Sequence, residues 1–207
     1  MFKNRTEAGK LLLDYVKEKN LNCDYLFGCI RGGVEVAFPI SEGLKKEIIP
    51  LFVHKIPSSI NEEFAIGAVS IDGVYVLNEY AKDEDEVYLK QIVEKTVELL
   101  KERAKIYGVD FDYKNLENKI VFVVDDGIAT GETLYAGVKS ILRYEPKEVY
   151  VLVPVSSYEG FVKLSEISKV VALTVDKYFY AVSQYYEEFP QLQDSEVKKY
   201  IDLSRKI

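Results

Sequence analysis

Apolar residues at Ala8, Leu11, Leu12, Tyr15 and Val16 recur at three- and four-residue intervals, which predicts an amphipathic helix over Thr6 to Lys19. Asp24 to Ile30 then reads as a short strand, and Gly32-Gly33 turns the chain into a second helix carrying Val36, Ala37, Ile40 and Leu44. Ile48 to His54 is the next strand. Ala68 to Ile71 and Val74 to Leu77 are joined by Asp72-Gly73, a dipeptide whose backbone freedom suits a tight hairpin. A long helix is expected over Glu84 to Tyr107, with Val87, Ile92, Val93, Val97, Leu99 and Leu100 on its apolar side. Ile120 to Val124 is apolar at every position, the pattern of a strand covered on both faces and paired in parallel. A helix reaching Arg143, a strand at Val149 to Val155, a short helix near Glu159 to Glu166 and a strand at Val170 to Val175 complete the pattern. Strands and helices alternate with one hairpin inserted. This predicts an α/β fold with a mostly parallel twisted sheet and helices on both faces.

Composition narrows the class. A chain of 207 residues suits one domain, and 48% hydrophobic residues suffice for a substantial core. No apolar run approaches a membrane span, and MFKNRTEAGK lacks the apolar stretch of a secretory signal. Cys23 and Cys29 flank a strand without metal-type spacing, so they read as reduced thiols and the protein as cytoplasmic. A net charge of −7 argues against nucleic-acid or membrane partners.

The chemistry is concentrated after the strand Ile120 to Val124. It ends in Asp125 and Asp126; a small-residue turn, Gly127 to Ala129, follows, and a helix opens at Thr130, Gly131, Glu132 and Thr133. Open α/β sheets bind ligands at the carboxyl ends of their strands. Free N–H groups at a helix start suit a phosphate, and adjacent carboxylates suit sugar hydroxyls or a hydrated Mg²⁺. Together they point to a phosphorylated sugar. The Walker A lysine is missing, since Glu132 follows Gly131, and no G-x-G-x-x-G run occurs. A plain strand–helix turn whose acids cap the helix is the competing reading of the acid pair alone.

The whole motif VVDDGIATGET resembles the phosphoribosyl-pyrophosphate (PRPP) motif of the type I phosphoribosyltransferases. That resemblance implies that Asp125 and Asp126 are catalytic residues that hold the ribose hydroxyls and a Mg²⁺ ion, that Ala129, Thr130, Gly131, Glu132 and Thr133 hold the 5′-phosphate, and that Gly127 and Ile128 before them also belong to the substrate-binding turn. Cys29-Ile30-Arg31-Gly32-Gly33-Val34 is similar to the R-G-G pyrophosphate loop of the same family, which implies pyrophosphate contacts from Arg31, Gly32 and Gly33 and a catalytic role for Arg31. Lys55 stands where relatives often place a pyrophosphate-binding lysine, although a solvated lysine opening a loop explains it equally; the neighbouring His54 is given no role. The loop Pro57 to Ala65 lies where type I enzymes carry a mobile lid. FKNRTEAGKLL, HKIPSSINEEFAIGAV and FYAVSQYYEEFPQLQDSEV extend the resemblance to a branch of the family without a defined substrate.

The resemblance implies one domain over 1–207, with a core at roughly 20–175 and a small hood from roughly 1–5 and 176–207, often in a homodimer. It implies a Mg²⁺-dependent transferase of nucleotide metabolism, which moves the phosphoribosyl group of PRPP to a nitrogenous base or small amine and releases pyrophosphate. A PRPP-sensing protein on the same scaffold is the alternative. Ala129 stands where 6-oxopurine enzymes carry an acid, which sets the chain apart from them. Tyr178 and Phe179 are the hood candidates for stacking on a base, although packing of a small subdomain is the commoner use of such aromatics.

Overall fold

The computed structural model describes residues 1–109 and 115–207. Helix α1 (Arg5–Glu18) starts behind Asn4, whose side chain accepts from the Glu7 N–H, and buries Ala8, Leu12 and Val16 along one stripe. Strand β1 (Tyr25–Cys29) leads into α2 (Gly32–Leu44), then β2 (Ile48–Leu51). Strands β3 (Val53–Pro57), β4 (Ala65–Ser70) and β5 (Tyr75–Leu77) follow, then α3 (Glu86–Tyr107). Strand β6 (Ile120–Val124), α4 (Glu132–Leu142), β7 (Glu148–Ser157), α5 (Tyr158–Ser165), β8 (Lys169–Asp176) and α6 (Asp194–Ser204) complete the chain.

Five strands form a wholly parallel sheet in the order β2-β1-β6-β7-β8. The chain runs outward from β1 on one side and from β6 on the other, so the order reverses between these two neighbours. A crevice opens at their carboxyl ends, where parallel sheets bind ligands. Alternate residues divide the core. Leu26, Phe122 and Leu152 pack with Leu12 of α1, Ile40 of α2, Leu100 of α3 and Ile201 of α6. Phe27, Val123 and Val151 pack with Leu134 and Val138 of α4 and Leu164 of α5. The second, three-stranded sheet, β3-β4-β5, is antiparallel. It lies between α3, whose Ile92, Val93 and Val97 meet Ile56, Ile66 and Val69, and α4. No helix of the described residues is long and apolar enough to cross a membrane.

Three features depart from the sequence reading. The run Ile48 to His54 is divided between the two sheets: β2 pairs with β1, Phe52 sits buried between them, and β3 pairs with β4. An apolar run carries no mark of that handover, because both strands are buried at the junction. On α3 the buried stripe is Thr96, Leu100, Ala104 and Tyr107, while Val87 and Leu99 face outward. Residues 176–207 were expected together in a hood, yet α6 packs on α2 and β2. Val197 and Ile201 join the main core, Tyr200 meets Phe38, and the Ser204 hydroxyl accepts from the Ile48 N–H at 3.0 Å. Truncating Ile201 to Ala is expected to lower unfolding free energy by about 2–5 kcal/mol, read from chemical denaturation. A cost within about 0.5 kcal/mol, typical of surface positions, would contradict this placement of α6.

Candidate functional site

A cavity of about 450 Å³ lies over the carboxyl ends of β1 and β6. Its lining includes Arg31, Gly32, Lys55, Asp125, Asp126 and the turn Gly127 to Gly131 with Thr133, so the structure brings both expected loops to one place. Gly33 lies against Asp125 at its edge. Glu132 turns aside to an ion pair with Lys163 at 3.1 Å. Lys55 reaches the cavity from β3, together with His54. Tyr178 and Phe179 do not line it. Tyr178 is 90% exposed, and Phe179 stacks on Tyr185 with ring centroids 5.4 Å apart. In the loop after β3, Glu63 and Phe64 line a neighbouring hollow of about 480 Å³ that shares Lys55 and Thr130 with the main cavity.

The two loops meet at glycine. A Cβ on Gly32 would collide with Asp126 Oδ2 and lie 2.9 Å from Arg5 Nε, and one on Gly33 would lie 2.8 Å from the Asp125 Cα. Only hydrogen at these positions lets the β1–α2 turn, which contains a cis Ile30–Arg31 peptide bond, approach the acid pair. Helix α2 begins without a side-chain cap, and so does α4, whose Gly131 adopts φ +84. By contrast α1, α3 and α5 are capped by Asn4, Asp85 and Ser157. Two helix starts at the crevice therefore keep backbone donors free for an anion.

The 129–133 turn is held firmly. Ile128 forms an isolated parallel bridge with Ser156: its N–H donates to the Val155 carbonyl at 2.9 Å and its carbonyl accepts from Ser157 N–H at 2.8 Å. The Ser157 hydroxyl donates to the Ala129 carbonyl and accepts from the Gly160 N–H. A Cβ on Gly160 would collide with Ile128, so a small residue at the start of α5 lets that helix sit against the turn.

The acid pair is also braced from the chain's ends, which the motif analysis missed. Arg5, 5% exposed, donates from Nε to Asp126 Oδ2 at 2.8 Å and from Nη1 to the Pro190 carbonyl at 2.8 Å, with its guanidinium 3.7 Å from the Phe189 ring centroid. Glu35 of α2 lies 3.9 Å from Arg5 Nη1. The Tyr186 hydroxyl donates to the Asp126 carbonyl at 2.7 Å, and Phe2 pairs with Tyr186 in a short parallel bridge. The signal was present as an arginine one residue past a helix-capping asparagine, but its partner is 121 positions away. Burial, and then the Asp126 charge, pushes Asp125 well above the ordinary carboxylate range. Burial raises Asp126 too, opposed by Arg5. Burial also raises the Cys29 thiol beside Asp125, and pushes Cys23 up to about 12; both cysteines are free. Two part-buried carboxylates side by side resist joint ionisation, so Arg5 supplies the countercharge that one of them needs.

Comparison with known proteins places this geometry. Residues 3–189 match the family model described as "Phosphoribosyl transferase domain". The chain is 31% identical over 211 aligned positions to the Mycobacterium tuberculosis protein named "Putative phosphoribosyl transferase Rv0571c"; the alignment covers 98% of this chain and 46% of that protein, so the chain spans about half the length of this curated relative. Among solved structures, TT1426 from Thermus thermophilus superposes with a TM-score of 0.78 at 32% identity, covering 97% of both chains. A Neisseria gonorrhoeae hypothetical protein solved with bound ppGpp shares the fold at a TM-score of 0.53 and 16% identity, covering 99% of each chain. With the family model spanning nearly its whole length, this chain belongs to the phosphoribosyl transferase domain family.

Proposed function

We propose that the chain is a phosphoribosyltransferase that moves the phosphoribosyl group of PRPP to a nitrogenous base or small amine and releases pyrophosphate. The observation that carries this reading is the convergence of two uncapped helix starts on one carboxylate pair within a single cavity. PRPP has the matching layout, with a phosphate at C5, a diol in the middle and a diphosphate at C1. The backbone donors of Ala129 to Thr133 bind the 5′-phosphate. Asp125 accepts from the ribose hydroxyls, together with the Asp126 oxygen that Arg5 leaves open. Arg31, Gly32 and Gly33 take the diphosphate, and Lys55 approaches it from the small sheet.

In the reaction the C1–O bond breaks with its electron pair leaving on the diphosphate, the lone pair of the acceptor nitrogen forms the new bond to C1, and the proton that nitrogen carried passes to the departing diphosphate or to solvent. The transition state resembles a ribosyl cation. Fixed donors around the departing diphosphate are most valuable where they need not reorganise, and a held acceptor replaces a collision. No covalent nucleophile is required. The residues also suit a magnesium ion that arrives with the ligand. Among the described residues no group of three or more His, Cys, Asp or Glu side chains could hold a metal by itself. Mg²⁺ commonly takes one or two carboxylates and completes its shell from water and substrate phosphates. Asp125 and Asp126 would hold it, and when bound it supplies positive charge to the leaving group.

A PRPP-binding module without turnover is the second reading. It is favoured by the engagement of Asp126 with Arg5 and by the cavity lining, in which Asp125 and Asp126 are the only carboxylates among the described residues. With both acids used to hold the ribose, the lining offers no further carboxylate to take the acceptor's proton.

Turnover separates the two. Pyrophosphate release from PRPP and Mg²⁺ is expected with at least one member of a panel of purines, pyrimidines and small amines; PRPP binding with no release across the panel would favour the module. Replacing both acids, Asp125→Asn with Asp126→Asn, is expected to leave a folded chain with PRPP affinity lowered at least about a hundredfold, about 2.8 kcal/mol; affinity retained in the folded double variant would remove the acids from the site. Gly32→Ala is expected to weaken PRPP about tenfold or more, because the new methyl displaces the Asp126 carboxylate from Arg5. Unchanged PRPP affinity in calorimetry would show that the close approach of the loops is dispensable.

A further inference from the structure

The chain has five arginines, and three of them meet carboxylates: Arg5 pairs with Asp126 and Glu35, Arg143 with Asp72, and Arg205 with Glu47 and Asp202. The other two, Arg31 and Arg103, have no ion-pair or side-chain hydrogen-bond partner among the described residues, and both line the main cavity. In a chain with seven more acids than bases, this is a notable place for arginines to go unpaired. Arg31 belongs to the β1–α2 turn. Arg103 comes from elsewhere, near the carboxyl end of α3, and no sequence motif marked it.

The helix around it is anchored by packing. Leu100 and Ala104 are buried on either side of it along the helix, and the buried Tyr107, one turn further on, donates its hydroxyl to Asp194 Oδ1 at 2.7 Å. Arg103 and Arg31 line the same cavity, and the positive charges of both act on that phenol. Lys55 adds a third cation to the same cavity. Like charges held near one another without a direct ion-pair partner among the described residues repel, and an anion that accepts from both relieves the repulsion. Guanidinium groups in particular suit phosphate oxygens, which they can bind through two parallel N–H donors.

We propose that Arg103 is a second diphosphate-binding residue, which grips the leaving group from α3 while Arg31 grips it from the β1–α2 turn. This rests on the phosphoribosyl-transfer reading above. It also assigns α3, which packs on the β3–β5 sheet and on α6, a part in substrate recognition beyond its structural one.

The test is calorimetric titration of the full chain and of Arg103→Ala and Arg103→Lys with inorganic pyrophosphate, PRPP and ribose 5-phosphate, each with Mg²⁺. In Arg103→Ala, affinity for pyrophosphate and PRPP is expected to fall at least about tenfold while affinity for ribose 5-phosphate stays within about twofold. Arg103→Lys is expected to recover part of the loss, because it restores charge without the planar fork. Unchanged pyrophosphate affinity in folded Arg103→Ala would overturn the inference and leave the transfer reading standing. An equal loss for ribose 5-phosphate would also overturn it, since it would mark Arg103 as structural. A wild-type chain that binds neither PRPP nor pyrophosphate would overturn both.

Discussion

The site depends on the contact between Gly32 and the Asp126 carboxylate, whose oxygen facing Gly32 also accepts from Arg5. A strand end, a helix start and the amino-terminal helix converge there, and each restricts the others. Gly32 must lack a Cβ or the carboxylate moves; the carboxylate must be ionised or buried Arg5 loses the nearer of its two carboxylate partners; Arg5 must hold its place against Phe189 and the Pro190 carbonyl or the carboxyl-terminal segment loosens. Breaking a buried ion pair by removing one partner costs on the order of 3–5 kcal/mol, a large part of the stability of an ordinary domain. The acid pair is therefore fixed before any ligand arrives, as electrostatic recognition requires.

That arrangement divides the labour between the two acids. Asp126 is held by Arg5 through its side chain and by Tyr186 through its carbonyl, whereas Asp125 borders the Cys29 thiol and accepts from the Asp126 N–H at 2.9 Å. Asp126 acts as the anchor of the chain's two ends, and Asp125 has no ion-pair partner among the described residues. The same cavity also carries charge of opposite sign: Arg31, Lys55 and Arg103 line it and form no ion pair among the described residues. A ligand with hydroxyls at its centre and negative charge at both ends matches this division.

Local pattern made much of this legible. Ile120 to Val124 declared a buried parallel strand because a strand covered on both faces has no polar positions, and the acids, small residues and hydroxyls after it marked the turn into a helix that starts without a side-chain cap. The structure sets these residues beside Arg31 and Gly32 without any contact between them being visible in the sequence. Long-range partners stayed hidden for the same reason: Arg5 reads as an ordinary helix arginine until Asp126 is seen across from it, and Arg103 as a solvated one until Arg31 is seen in the same wall. The strand Ile48 to His54 and the helix α6 mark a different limit. An apolar run does not show where the chain changes sheets at Phe52, and a helix that buries little beyond Val197, Ile201 and Ser204 carries too few apolar positions to announce its face.

The most direct measurement is the structure of the chain with PRPP and Mg²⁺ bound. The expected result is the 5′-phosphate against the N–H groups of 129–133, the ribose hydroxyls against Asp125, and the diphosphate against Arg31 to Gly33. A ligand bound elsewhere, or lying in the cavity with its phosphate ends exchanged, would contradict the assignment of both loops.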